Sequence, residues 1–362
     1  ELLSTALRRY VPPATPIFER RQVAAILARA TAHPLGLPRL SAVERERLFA
    51  TYAPVFEIET GGDFDRIGRL GWDAAQAPRV DVAQPAVSRR LGYTRTGQRT
   101  LLQLVYVAWM PERPLENRFD VLGGHLDGVV WRVTLAPDGE PVLFDSIHPC
   151  GCYHMFFPTP RLQPLPAPRP SMEWAFIPAA LPAIAESERL VVTLRSRSHY
   201  LANVRPITAT TGTTYDFAEY DELRTLPLPQ GGTRSLFGPD GLIAGTERGE
   251  RFLFWPMGIA SPGAMRQSGT QATAFVGRRH FDDADILEVH VKRVEALTVS
   301  EDDRRAVPLE GTGIGHRPVA HGLDGGAGRG GDADAVPADH GAVGTTVRSE
   351  TVDQLAIDGP FE

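Results

Sequence analysis

The sequence predicts an α+β protein, predominantly antiparallel β in a sandwich or open barrel, with an N-terminal helical segment and a disordered C-terminal tail. Three observations lead there. Helical periodicity marks the first fifty residues, short β-prone runs separated by Pro, Gly and Asp fill the chain from Thr100 onward, and the βα alternation of a Rossmann-type sheet is missing.

Residues 1–52 read as a helical lead-in or cap. Pro16 suits the first helical position after Thr15, and Ile17, Val23, Ala24, Leu27 and Ala28 recur at helical spacing up to Thr31. Ser41-Ala42-Val43-Glu44 is a capping-box pattern that opens a second helix through Leu48 and Phe49, before Ala53-Pro54 turns the chain into the strand-like Val55–Ile58.

Residues 53–307 form the predicted β-rich core. Its clearest element is a hairpin, Val129–Leu135 returning as Pro141–Phe144, with Pro137-Asp138-Gly139 supplying the positive φ of a tight turn. Further strand-like runs are Trp174–Ile177, Leu190–Leu194, His199–Val204, Phe252–Trp255, Ala272–Val276 and Ile286–Val294. Within the core, Pro at 164, 166, 168 and 170 makes residues 162–170 an extended strap or linker. Beyond Pro308 the chain is Gly, Ala, Asp and His with almost no large apolar residue before Leu355, too little to offset the entropy of ordering, so 308–362 is expected to be disordered.

A chain of 362 residues with 42% apolar content buries a core without disulfide or metal staples. Its formal charge of -6, spread along the chain, argues against nucleic acid as a partner, which leaves a small molecule or a protein. Lys292 is the only lysine; Arg makes the better fork for carboxylate or phosphate, but the skew is weak evidence for either. The longest apolar stretch, Leu101–Met110, is about half of the roughly 20 residues a membrane helix needs, so no transmembrane segment is expected in this chain. The chain begins at Glu1 without a Met or a basic-plus-apolar leader, which leaves the compartment open between the cytoplasm and export with the signal absent from this chain.

The residues able to do chemistry concentrate in His148-Pro149-Cys150-Gly151-Cys152-Tyr153-His154. Its two cysteines, the only ones in the chain, are too close together for long-range staples, and a bond between them would close a small, strained, labile ring. Even spacing places His148, Cys150, Cys152 and His154 on one face of an extended strand. At about 3.3 Å per residue the outer pair would stand roughly 20 Å apart, far too wide for one tetrahedral ion. Only a turn at Pro149 and Gly151 brings these side chains together, and the segment must then be a bent loop facing His125.

The first functional reading is a metal-binding enzyme with His125, His148, Cys150, Cys152 and His154 as ligands of zinc, copper or iron, and His199 and His290 in reserve. It would perform oxidation or metal-assisted hydrolysis on a small substrate, with Asp145 or Asp127 holding a ligating imidazole in its tautomer. The second is a non-catalytic β-rich binding or structural module whose cysteines merely pack. The third is a nucleophilic hydrolase, in which Cys150 or Cys152 attacks, His148, His154 or His125 is the base, and Asp145 or Asp127 orients it. Cys150-Gly151-Cys152-Tyr153 partly resembles the papain-like protease signature, one residue short and with no helix pattern following.

Other features carry less. His280 lies in a dense polar turn whose Arg278-Arg279 suit a carboxylate or phosphate clamp, but are expected instead to satisfy Asp282-Asp283 as surface ion pairs. Trp109-Met110-Pro111 and Phe254-Trp255-Pro256 end strand-like runs with an aromatic and a Pro, either sealing a core edge or rimming a pocket. Gly326, Gly328 and Gly331 fit a dinucleotide fingerprint in spacing alone, since neither a strand nor a helix flanks them.

Overall fold

The computed structural model describes residues 6–170, 172–208, 211–274 and 279–293. The fold is β-rich, with mainly antiparallel sheets and three α-helices among the described residues: α1, Arg20–Ala28; α2, Ala42–Tyr52; and α3, Ile286–His290. The predicted disordered tail, 308–362, lies outside the described residues.

A six-stranded sheet forms the centre, in the spatial order Asp216–Glu219, Ala86–Thr96, Arg99–Arg113, Gly124–Leu135, Pro141–Ile147, Met155–Pro158. All its pairs are antiparallel except that of Asp216–Glu219 with Ala86–Thr96. The apolar stretch Leu101–Met110 is legible in this setting, because its strand is buried on both faces. Leu102, Leu104, Tyr106 and Ala108 enter one core with α1, α2 and the second sheet, while Val105, Val107 and Trp109 enter another with Leu223, Leu236, Ile243 and Met265. The hairpin is present, its turn made by Gly139 at φ 82°.

The second sheet runs Leu201–Ile207, Arg189–Leu194, Val55–Thr60, Ala6–Val11, Thr213–Thr214. Tyr10, Phe56, Ile58, Val192 and Leu194 face the same core as Trp131 and Phe144 of the central sheet, so two sheets share one apolar interior. The outer strands of the central sheet pair with no strand of the other sheet among the described residues.

Several elements differ from expectation. Residues 1–52 are not purely helical: Ala6–Val11 is a strand bonded to Val55–Thr60, within the same unit as the chain up to Val307. The first helix starts at Arg20, because Glu19 and Gln22 form the capping box, while the N–H of buried Phe18 donates to Thr51 Oγ1. The second begins at the predicted Ser41 cap. Trp174–Ile177 contributes a single bridge, Met155 to Phe176. Phe252–Trp255 is not a strand but lies in two short 3-10 turns with its aromatics exposed. The described part of Ile286–Val294 is a short helix followed by the strand Val291–Arg293, and residues 275–276 of the Ala272–Val276 run lie outside the described residues. The Pro-rich strap begins as a strand, Leu162–Pro164, paired with Val291–Arg293.

Candidate functional site

The segment His148–His154 is bent, as the distance argument requires. The His148 N–H donates to the Cys152 carbonyl (2.9 Å), and the Gly151 N–H to the His148 carbonyl (2.8 Å). Gly151 sits at φ 95° against the Ala272 carbonyl, where a Cβ would come within 2.6 Å, so glycine is required there.

The bend disperses the side chains instead of converging them. His125 Nε2 meets the Pro78 carbonyl (2.7 Å), His148 turns to Asp127, and His154 turns to Asp145. Cys150 enters an apolar cluster, its Sγ accepting the Cys152 N–H (3.4 Å). His199 and His290 join none of them at a common point: among the described residues, no three His, Cys, Asp or Glu side chains are placed to hold a metal ion. The predicted set His125, His148, Cys150, Cys152 and His154 is therefore not assembled. Both thiols are free, neither bonds an imidazole among the described residues, and the Cys152 thiol is pushed well up by its Cys150 neighbour and by burial. A cysteine nucleophile is activated by an imidazole within hydrogen-bond reach, and neither thiol has one among the described residues.

Two polar networks take the dispersed imidazoles. The first is fully buried: Asp145 accepts from Arg132 Nε (2.9 Å), from the second guanidinium nitrogen, and from His154 Nε2 (2.9 Å). Arg132 also donates to the Phe281 carbonyl and lies over the Phe281 ring. Burial holds the His154 pKa down at about 4 against the pull of Asp145, so its imidazole is neutral. Burial alone would raise the Asp145 carboxyl, but Arg132 and His154 outweigh it and keep it below its ordinary range. Its one loose end is His154 Nδ1, buried and without a hydrogen-bond partner among the described residues.

The second network is a chain that ends open. Asp65 accepts the N–H groups of Gly61 and Arg197 and the Ser196 hydroxyl, each at 2.7 Å. His199 lies wholly buried between two carboxylates, Nε2 on Asp65 Oδ1 (3.2 Å) and Nδ1 on Asp127 Oδ2 (2.8 Å). Both ring nitrogens must carry protons to bond two acceptors, so His199 is an imidazolium. Burial opposes that charge, yet the bonds and fields of Asp127 and Asp65 outweigh it and raise the pKa to about 9. Asp127 is buried too, and His148 and His199 hold its carboxyl far below the usual range. Its other oxygen faces His148 Nδ1 at 3.4 Å, and His148 Nε2 has no partner among the described residues.

Tyr153 and Tyr200 pack on the His148 ring, with centroids 5.2 and 5.8 Å away, and their hydroxyls meet. Burial and Tyr200 keep the Tyr153 phenol protonated. The Arg113 guanidinium covers the Tyr200 ring at 4.8 Å. Among the described residues, four of the six non-glycine residues at positive φ gather around this centre: Leu126, Tyr153, Arg197 and His199. Arg248 clamps the Leu126 turn by donating to the His125 and Leu126 carbonyls. Strained backbone concentrated at one place, held by its surroundings, marks a site rather than packing alone.

Of the predicted residues, Asp127 and His148 stand together here, Asp145 and His154 belong to the buried Arg132 network, and His125 contributes only its carbonyl. Sequence reasoning missed Asp65, Arg113 and Tyr200 and named His199 only as a reserve ligand within a strand. His199 instead sits in a turn at φ 52°, with the strand beginning at Leu201. The available signal was the polar run Ser196-Arg197-Ser198-His199-Tyr200 between two apolar strands. The large surface clefts lie elsewhere. One of about 610 Å³ is lined by Leu27, Leu102 and Leu135, and one of about 370 Å³ by His290, Arg279 and Trp174. Oriented polar groups and positive-φ backbone coincide around His148. No family model, curated protein or solved structure matches the chain.

Proposed function

We propose that the chain is a hydrolase acting by general acid–base catalysis, with His148 Nε2 as the group that takes and returns the proton. The observation that supports this reading is the open end of the relay. An imidazole whose Nδ1 is directed by a buried carboxylate, and whose Nε2 is free, is the arrangement that activates a hydroxyl or a water. Asp127 orients His148, and the His199–Asp65 pair fixes Asp127 in turn. Tyr153 and Tyr200 supply neutral O–H donors for an oxyanion developing on a carbonyl substrate, and Arg113 supplies positive charge beside them. The tyrosines must part to admit a substrate, because His148 is buried beneath the exposed Tyr153. We assign the Arg132–Asp145–His154 network to the fold: His154 Nδ1 is also unpartnered among the described residues, but Arg132 and Asp145 have no exposure and none of the three residues is at positive φ.

The test uses p-nitrophenyl acetate, butyrate and phosphate as probes. Turnover of a carboxylic ester is expected to fall roughly 10²- to 10⁴-fold in His148→Gln, with the melting temperature retained. Rates equal in the two proteins, or none above buffer, overturn the reading.

A further inference from the structure

Two loop tips beside this site carry large apolar side chains in water. Phe252, Leu253, Phe254 and Trp255 are 70, 61, 41 and 72% exposed, and Leu115 and Phe119 are 58 and 75% exposed. The tips are adjacent: the Glu250 N–H donates to the Val121 carbonyl (3.0 Å), and Gly249 packs on Val121. They also share the framework of the site, since Arg197 donates to the Leu115 carbonyl and Arg248 holds Gly124–Leu126. Monomeric proteins rarely leave such a cluster in water without a use for it.

The polar groups of the tips are arranged to leave the rings outermost. Asp120 turns inward to accept the N–H groups of Glu116, Leu122 and Gly123, and Glu250 is buried. Arg251 lies over the Phe252 ring at 4.8 Å and Arg118 over the Phe119 ring at 4.6 Å. Neither these two nor Arg197 pairs with a carboxylate among the described residues, against the exposed Glu116 and Glu247 on the same tips. Rings at protruding tips, each with a guanidinium laid along it, suit a boundary where the ring enters an apolar phase and the cation remains at the level of anionic headgroups. A protein partner would require a surface of matching shape; a fluid bilayer requires none. The rest of the chain is poorly suited to cover the patch, because Phe361 is the only aromatic residue after Arg293.

We propose that the tips at Leu115–Phe119 and Phe252–Trp255 dock the protein onto a lipid bilayer surface bearing anionic headgroups. The docked face would be the one on which Tyr153 and Tyr200 open.

The full chain is sedimented with phosphatidylcholine vesicles and with mixed phosphatidylcholine–phosphatidylglycerol vesicles. It is expected to bind the mixed vesicles more tightly, and brominated lipid is expected to quench fluorescence that Trp255→Phe removes. Phe252→Ser/Trp255→Ser, at an unchanged melting temperature, is expected to weaken binding at least about tenfold, which is about 1.4 kcal/mol. No binding, equal binding to the two vesicle types, or unchanged affinity of the serine variant overturns the proposal. So does self-association of the wild type, without vesicle binding, that the serine variant abolishes; that result assigns the patch to a second copy of the chain.

Discussion

Asp145→Ala is expected to lower the unfolding free energy by about 3–5 kcal/mol, the cost of leaving a buried charge without its partner. Arg132 has a side chain with no exposure, and its remaining contacts are the Phe281 carbonyl and ring and a distant Asp282 carboxylate, 3.9 Å away. None of these replaces a bidentate carboxylate in the core. His154 loses its acceptor in the same substitution. The loss belongs to the broken pair rather than to the worth of the pair, so Arg132→Met/Asp145→Leu, which removes both charges, is expected to be less destabilised than Asp145→Ala. Denaturant unfolding with an unchanged m value measures both. A loss below about 1 kcal/mol in Asp145→Ala would place Arg132 in contact with water and contradict the burial of this network.

Asp127→Asn is expected to damage stability and turnover together, because one carboxylate serves two imidazoles. In the wild type, the pKa of folded His199 is about 9, raised above the ordinary unfolded value of 6.5. A raised pKa contributes stability that is fully present below the unfolded value and is lost as pH rises through the folded value. The unfolding free energy should therefore decline between about pH 6.5 and 9, by on the order of 3 kcal/mol. With Asn at 127, His199 keeps only Asp65, its pKa drops, and the decline becomes smaller and starts at lower pH. Asn can also present its amide N–H to His148 Nδ1 and favour the tautomer whose Nε2 is protonated, which cannot act as a base. Turnover should fall by roughly 10²- to 10⁴-fold even where the variant is folded. Parallel pH profiles of unfolding in the two proteins would remove His199 from the relay.

The parts of the fold that sequence conveys are those in which local pattern and tertiary burial agree. The Ser41 capping box, the Asp138-Gly139 hairpin and the apolar run through Leu104 and Tyr106 are of this kind. The strand Ala86–Thr96 was concealed because Arg89 and Arg90 look like surface charges. They are neutralised by residues remote in sequence: Glu46 and Glu219 hold Arg89, and Asp282 holds Arg90. Phe252–Trp255 misled for the opposite reason, since its aromatics have strand propensity and no neighbouring strand to pair with. Trp109 and Trp255, each followed closely by a Pro, show how little that ending decides: one is in the core and the other is 72% exposed.

The same limit applies to the site. Composition located the segment around His148, and spacing showed that it had to bend, but neither indicates where a bent segment sends each side chain. His148, Cys150 and His154 reach three different environments within seven residues. The groups that give His148 its direction come from Asp127, His199 and Asp65, brought together by strands of two different sheets and the turns beside them. Such a relay has no sequence period, and only the folded chain brings it together.

The central claim is the protonation pattern along Asp65, His199, Asp127 and His148, and ¹⁵N NMR of histidine-labelled protein near neutral pH reads it directly. The account predicts that both ring nitrogens of His199 are protonated, and that the neutral form of His148 carries its proton on Nδ1 with Nε2 bare, the assignments made by loss of signals in His199→Gln and His148→Gln. A neutral His199, or a His148 protonated on Nε2 alone, would contradict it.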